Sequence, residues 1–432
     1  MGNKMLTKNL VWRSKKCSKS VLLFLVVGLY PLLLDAALAT QDSIVTSSVL
    51  NYNDSHGVPV VNVSINGRGY SFLFDTGAGM TCISDKVVSE AGLFLRSTSN
   101  YIVGMDGNVS YATISSLVFG DVKADSLEAI VLPGNNPGLR AIGVDGILGA
   151  NAFSDFVVTF DAKTKTIMIE KSVIREEGDW MPMKLWDGLP LLALKLRGKE
   201  ELYDVPGVFD SGSSMGAFGL PSVKGFEEWT AAGLIDSVEE GQGTTTLMLG
   251  GRVGMDKLYR GELKECHIGN GVFSGIPVYT GGIDYLLLCF KITDLGKLTL
   301  DYPNKRFSFT AYEGAAVWEG DQRPVTTAVI NGELKITAVW GKEALEKIAP
   351  GYTVTALDGK PTNKVPPGIP NIDVFIGMVK AKTVTVRDMD GNELTLPAFT
   401  LWRHNNNYAF CLRYFNGGYY PEIGRASCRE RV

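Results

Sequence analysis

The sequence predicts a mainly β protein built from two homologous lobes in tandem, followed by a smaller α+β domain. Three observations predict it. After residue 57 the chain runs in short stretches of Val, Leu, Ile and Thr broken by Gly, Asn and Asp, the pattern of strands joined by tight turns. A series of landmarks recurs in the same order more than 130 residues later. A different pattern, with one short helix, begins near residue 325. The 432 residues, 45% of them hydrophobic, are enough for two or three packed domains. A formal net charge of −4 offers no basic surface, so nucleic acid is not expected as a partner.

Residues 1–39 read as a signal peptide. Lys4, Lys8, Arg13, Lys15, Lys16 and Lys19 precede the apolar run Val21–Leu34, and Ala37-Leu38-Ala39 is a small-x-small cleavage signature. The run is short beside the roughly 20 residues of a membrane span. The expectation is export, periplasmic or extracellular, with membrane tethering if the segment is not cleaved. At the other end, residues 422–432 read as a non-native tail.

The duplication is visible residue by residue. Gly57-Val-Pro-Val-Val-Asn-Val-Ser-Ile-Asn-Gly67 leads to a strand ending in Phe74-Asp-Thr-Gly77. Gly188-Leu-Pro-Leu-Leu-Ala-Leu-Lys-Leu-Arg-Gly198 leads to one ending in Phe209-Asp-Ser-Gly212. The offset is 131 residues at the first glycine and 135 at the aspartate, so the second hairpin is four residues longer. Gly143-Val-Asp-Gly-Ile-Leu-Gly149 answers Gly282-Ile-Asp-Tyr-Leu-Leu-Leu288 at an offset of 139. Leu117-Val-Phe-Gly120 answers Cys266-His-Ile-Gly269, and Val157-Val-Thr-Phe-Asp161 answers Leu298-Thr-Leu-Asp301. One such match is chance, whereas an ordered series is a repeat. Two β-rich lobes follow, residues 45–172 and 180–312, each with a helical stretch after its aspartate, at Ser84–Ala91 and Ser222–Leu234.

A single Asp-Thr/Ser-Gly is a common tripeptide and reads as a surface turn. Here each copy ends an apolar strand, Phe72-Leu-Phe74 or Val208-Phe209, and enters small residues. A carboxylate after a buried strand is costly without partners. Its recurrence in both repeats predicts that Asp75 and Asp210 meet at a pseudo-twofold axis. Two carboxyls about 3 Å apart cannot both ionise and so share one proton. Gly77 and Gly212 allow close backbone approach, and Thr76 and Ser211 offer hydroxyls that can bond across the lobe interface. Ser213 is placed to donate to the outer oxygen of Asp210, where Ala78 offers Asp75 nothing comparable. That asymmetry predicts Asp210 as the more often ionised member of the pair.

These residues resemble the pepsin and retropepsin superfamily of aspartic proteases, which are themselves the standard example of the shared-proton pair. The resemblance is carried by Phe74-Asp-Thr-Gly-Ala78, Phe209-Asp-Ser-Gly-Ser-Ser214 and Ile147-Leu148-Gly149, and covers about residues 57–310. The first motif is closer to the retroviral form and the second to the pepsin form. The resemblance implies a bilobal, pepsin-like double β-barrel acid-protease fold and a monomeric catalytic unit. It implies an exported aspartic endopeptidase that hydrolyses peptide or protein substrates with dyad-activated water, without metal or cofactor. Asp75 and Asp210 would be catalytic, with Thr76, Gly77, Ser211, Gly212 and Ser213 supporting the dyad. It also implies a β-hairpin flap, for which Gly104, Met105, Asp106 and Gly107 within Tyr101–Val109 are the candidates, with Leu249-Gly-Gly-Arg-Val253 as a second-lobe counterpart.

One departure stands out. Leu286-Leu287-Leu288 takes the place of Ile147-Leu148-Gly149, so a missing glycine predicts an altered loop beside the second aspartate. The alternative to an enzyme is a catalytically inactive peptide-binding protein of the cell envelope with the same fold; a third reading is an envelope scaffold acting through the C-terminal domain alone. Both aspartates and both hydroxyl partners are retained, which favours activity.

Other chemistries find little support. His56, His267 and His404 form no zinc-binding pattern, and no Gly-x-Ser-x-Gly elbow occurs. Cys266 and His267 are consecutive in a strand and point to opposite faces. Cys82, Cys266, Cys289 and Cys411 form no CxxC pair; export permits a disulfide, and buried free thiols are the other reading.

Beyond Phe309 a new domain is expected. Asn331–Val339 reads as a turn and strand, Lys342–Ile348 as a short helix, then come Pro350–Pro361, Ala381–Arg387 and a turn at Asp390-Gly391. The segment Asp358-Gly-Lys-Pro361 before a helical stretch resembles a PDZ domain of the bacterial type over about residues 325–398. That resemblance implies a peptide or partner ligand taken by strand addition. No Gly-Leu-Gly-Phe loop is present, and a small packing domain with an occupied groove is the alternative. Residues 401–421, aromatic and rich in Asn and Gly, receive no assignment.

Overall fold

In–out alternation along the strands builds both lobes. Val60–Ile65 buries Val61, Val63 and Ile65, and Leu189–Arg197 buries Pro190, Leu192, Leu194 and Leu196, each set on one face of its strand. The computed structural model describes residues 47–98, 109–171, 178–214, 218–220, 222–248, 251–280, 286–317, 324–330, 332–362 and 381–397. The signal segment, the flap candidates Gly104–Gly107, and residues 398–432 lie outside the described residues.

The first lobe is a closed circuit. Val60–Ile65 pairs with Arg68–Phe74 across an Asn66-Gly67 turn with φ of 49° and 82°, the left-handed pair that suits a two-residue hairpin. Arg68–Phe74 then runs parallel to Gly146–Leu148, which lies antiparallel to Cys82–Ser84. Cys82–Ser84 runs parallel to Val122–Leu132, which pairs with Val109–Phe119, and that strand returns to Val60–Ile65. Six strands thus close a barrel, with Leu95–Thr98 added at its edge. The predicted helix is present at Asp85–Ala91, capped by the Ser84 hydroxyl at its start and by left-handed Gly92 at its end.

The second lobe repeats the route. Leu189–Arg197 pairs with Leu202–Asp210, which runs parallel to Leu287–Cys289. Leu287–Cys289 lies antiparallel to Phe218–Leu220, and that strand runs parallel to Ile276–Thr280. Ile276–Thr280 pairs with Gly251–Leu263, whose continuation Cys266–Ile268 returns to Leu189–Arg197. The turn glycines that close the equivalent hairpins, Gly120 and Gly269, share φ near 60°, as φ 60° and 58°. Ser222 caps the second helix, Val223–Ala231.

The lobes share a central sheet. Ser47–Asn51, Thr166–Lys171, Phe156–Asp161, Gly296–Asp301, Arg306–Ala311 and Met181–Trp186 pair in that order. At its middle Thr159 lies opposite Thr299, and their hydroxyls are 3.0 Å apart. Those two threonines occupy the same position in the two repeats, so the pseudo-twofold axis passes between them.

The register corrects the sequence alignment by one residue. Phe74 lies beside Leu148 and Phe209 beside Leu288, and each phenylalanine directly precedes its aspartate. The repeat offset there is 140 residues, not 139, and the counterpart of Gly149 is Cys289, not Leu288. Backbone bonds agree, because Ala150 N–H donates to Ala78 while Phe290 N–H donates to Ser213. Gly149 has a packing reason to be glycine: a Cβ there would lie 2.5 Å from the Met80 carbonyl oxygen and 2.7 Å from Thr81 N.

The C-terminal strands have a core of their own around Val325, Ile336, Val339, Ile348, Val384 and Val386. Val325–Ile330, Glu333–Trp340, Thr353–Leu357, Thr383–Arg387 and Glu393–Pro397 pair in succession, with the short helix Lys342–Leu345 between the second and third. This part is not strung on a linker alone. Glu333–Trp340 also pairs with Ile235–Met248 of the second lobe, through Gly241–Gly243 opposite Ala338–Trp340. Arg260 lies over the Trp340 ring and pairs with Glu239, so a cation covers the apolar seam. Among the described residues no helix is long and apolar enough to cross a membrane.

An aromatic cluster fills the space between the lobes. Phe160 touches Phe74, Phe209 and Phe290, with ring centroids 5.7, 5.4 and 6.2 Å away, and is fully buried. Phe160→Ala is therefore expected to cost about 3–5 kcal/mol in urea unfolding. Phe94→Ala, at a side chain 91% exposed, should change stability by less than about 0.5 kcal/mol.

Candidate active site

Each aspartate is delivered by the same local device. A buried strand runs through Phe74 or Phe209 beside a parallel neighbour, and the carboxyl follows directly at the junction of the lobes. Asp75 N–H donates to the Leu148 carbonyl oxygen at 3.0 Å, which fixes the direction of the exit.

The two carboxyls lie close enough to act on each other's protonation, each packed against the other lobe's glycine. The Gly77 N–H donates to Asp75 Oδ1 and the Gly212 N–H to Asp210 Oδ1, both at 2.8 Å. The Ala78 and Ser213 backbone N–H groups also reach Asp75 and Asp210 respectively. The glycines are required by this proximity. A Cβ on Gly77 would lie 2.5 Å from Asp210 Oδ1, and one on Gly212 would lie 2.5 Å from Asp75 Cγ. Each lobe's glycine thus makes room for the other lobe's acid.

A reciprocal set of hydrogen bonds locks the two loops. Thr76 Oγ1 accepts from Ser211 N–H at 3.0 Å and donates to the Phe209 carbonyl oxygen at 2.7 Å. Ser211 Oγ accepts from Thr76 N–H at 3.0 Å and donates to the Phe74 carbonyl oxygen at 2.7 Å. Thr76 and Ser211 are completely buried. The sequence reading of these two hydroxyls as cross-lobe partners matches the geometry.

Ser213 departs from its expectation. Its hydroxyl donates to Cys289 Sγ at 3.2 Å, and its contact with Asp210 is through the backbone N–H. The side-chain asymmetry that was to keep Asp210 ionised is therefore not present. Burial pushes both carboxyls above the ordinary value of 3.8, and the charge on Asp75 pushes Asp210 well above it. Both aspartates nonetheless keep part of their surface exposed. A low-dielectric setting with an open side is what a shared-proton pair needs to stay reactive. Below the pair, burial and then the charge on Asp75 push the Cys82 thiol up to about 12.

Cys82, Cys266 and Cys289 are buried free thiols, and Cys411 is outside the described residues. Among the described residues no group of three or more His, Cys, Asp or Glu side chains gathers as a metal would need. Of the second-lobe hairpin counterpart, Ile235–Met248 and Gly251–Leu263 form the long paired arms, while Leu249 and Gly250 lie outside the described residues. The position of Cys289 beside Ser213 escaped the sequence reading, because the one-residue misalignment put Leu288 in its place.

Known proteins resemble parts of this chain. Residues 61–152 match the family model described as aspartyl protease, a stretch that contains Asp75 and Gly149 but not Asp210. Two solved structures are similar. The aspartic proteinase from Irpex lacteus is 15% identical, covers 62% of this chain and 98% of its own, and gives a TM-score of 0.40. A retropepsin-like aspartic protease from Rickettsia conorii is 18% identical, covers 29% and 90%, and gives 0.24. No curated protein matches the chain. The second half of the site therefore rests on the duplicated geometry of this molecule itself.

Thr76→Val and Ser211→Ala each remove buried donors and acceptors that bridge the lobes. Each is expected to lower unfolding free energy by about 1–3 kcal/mol, with the double variant less than additive, as read from denaturant unfolding. The raised carboxyls also give a pH signature. The folded state keeps a proton that the unfolded chain loses above the ordinary carboxyl value of 3.8. The stability from this group is complete below that value and falls as pH rises through the raised folded value. Asp210→Asn should flatten that limb when melting temperature is followed against pH.

Proposed function

We propose that this chain is an exported aspartic endopeptidase that cleaves peptide or protein substrates with Asp75 and Asp210. The observation that supports the reading is the close approach of two carboxyls from opposite lobes, held by the Thr76–Ser211 exchange. One carboxyl is ionised and one protonated. The ionised member takes a proton from water as the water oxygen attacks the scissile carbonyl carbon. The protonated member gives its proton to the carbonyl oxygen. Collapse of the gem-diol breaks the C–N bond: the departing nitrogen takes a proton from the carboxyl that had received one from water, and a diol hydroxyl returns its proton to the other, which restores the shared proton. No acyl-enzyme forms. Thr76, Gly77, Ser211, Gly212 and Ser213 serve by holding the two carboxyls in register.

The remaining parts of the reading follow the same line. Residues 1–39 direct export. Residues 325–398 form a PDZ-like domain that takes a peptide or partner, and the sheet it shares with the second lobe supports a role close to the cleft. The catalytic unit acts as a monomer, because both halves of the dyad come from one chain.

Incubation with a mixed peptide library from acidic to neutral pH is expected to give cleavage that pepstatin-like inhibitors stop. Asp75→Asn and Asp210→Asn should each lower turnover by at least about 10³-fold. Full activity in both variants removes the dyad from the chemistry, and binding without turnover in the unaltered protein identifies a peptide-binding protein instead.

A further inference from the structure

We propose that Cys289 is a positioning residue for the dyad, its thiol holding the Ser213 hydroxyl away from Asp210 so that both aspartates keep only backbone donors on their outer side. The inference rests on the reading of Asp75 and Asp210 as a working pair.

The argument is geometric. Cys289 is fully buried and lies beside Asp210 in the parallel ladder of the second lobe. Ser213 Oγ sits 3.2 Å from Cys289 Sγ. The Ser213 backbone is pinned on both sides, its carbonyl oxygen accepting from Phe290 N–H at 3.1 Å and its own N–H reaching Asp210. With the backbone fixed, a turn about the Cα–Cβ bond is what decides whether the hydroxyl meets sulfur or carboxylate. The first lobe reaches the same end by omission, since its equivalents are Ala78 and Gly149, neither of which carries a polar side chain. Neither lobe therefore presents a side-chain hydroxyl to its own carboxyl, although the second contains a serine.

Most other groups around the pair are already committed. The Thr76 and Ser211 hydroxyls are spent across the lobe interface. The Cys82 thiol donates to the Met80 carbonyl oxygen at 3.6 Å, while the buried Tyr302 hydroxyl has no hydrogen-bond partner. The Ser213 hydroxyl is a side-chain donor beside Asp210 whose direction the second lobe can still alter. A hydroxyl on Asp210 would favour its ionised form and split the pair's two titrations further apart. By engaging that hydroxyl, Cys289 keeps the lower titration higher, which suits work at a less acidic pH.

The test follows the dyad itself by NMR of aspartate labelled with ¹³C at the carboxyl, together with the pH profile of peptide cleavage. Cys289→Gly restores the first-lobe residue, and Cys289→Ala retains a Cβ in case glycine loosens the strand. Both are expected to move the lower apparent titration of the pair down by about one unit, the shift one charge-assisted hydrogen bond can supply. Ser213→Ala alone should leave that titration in place, and adding it to Cys289→Gly should cancel the shift. An unmoved titration in folded Cys289→Gly and Cys289→Ala, or a shift in Ser213→Ala alone, overturns the proposal. The NMR reading needs no turnover. A protein that shifts but never cleaves keeps this inference and loses the peptidase reading; one that cleaves with an unmoved titration does the reverse.

Discussion

Four hydrogen bonds that Thr76 and Ser211 make across the lobe interface hold the rest of the site in place. Each hydroxyl accepts from the other loop's N–H and donates to the carbonyl before the other aspartate. Neither loop can move without leaving buried polar groups of both lobes unsatisfied, which is costly in an interior. Because the exchange is reciprocal, it sets the distance between the lobes at the one point where distance matters, the separation of the two carboxyls. The glycines then complete the constraint by leaving no atom between the acids.

Duplication makes this arrangement economical. One barrel route, used twice, presents a carboxyl at the same exit, and the shared sheet brings the exits face to face across Thr159 and Thr299. The aromatic cluster of Phe74, Phe160 and Phe209 lies directly behind the residues that carry the acids. Packing density there resists rearrangement, so the acids sit on a stiff base. The lobes have diverged in other places. The second carries a longer first hairpin, a cysteine in place of the closely packed Gly149, and a long hairpin whose arm Ile235–Met248 extends into the C-terminal strands.

That extension alters how the C-terminal part is understood. Beyond Phe309 the sequence reads as a separate domain. The ladder between Gly241–Gly243 and Ala338–Trp340 joins it instead to the lobe that carries Asp210, with Trp340 and Arg260 covering the seam. A continuous sheet transmits small shifts of one edge to the other more directly than a linker does. It also removes an exposed edge that would invite pairing with other chains.

The residues themselves announced much of this. Alternating Val, Leu and Ile positions defined the core faces of Val60–Ile65 and Leu189–Arg197, because a strand exposes every second side chain. The hairpin turn after Ile65 and the helical stretches beginning at Ser84 and Ser222 were legible because their signals act within a few residues. Asp75, Asp210, Thr76 and Ser211 could be paired because the chain states the same pattern twice. What the sequence left open depends on contacts between distant segments. The true offset of 140, the Cys289 thiol beside Ser213, and the strand Glu333–Trp340 laid along Ile235–Met248 are decided by ladder register and packing. Those are properties of two surfaces meeting, and no local pattern along one strand records which residue of another will lie beside it.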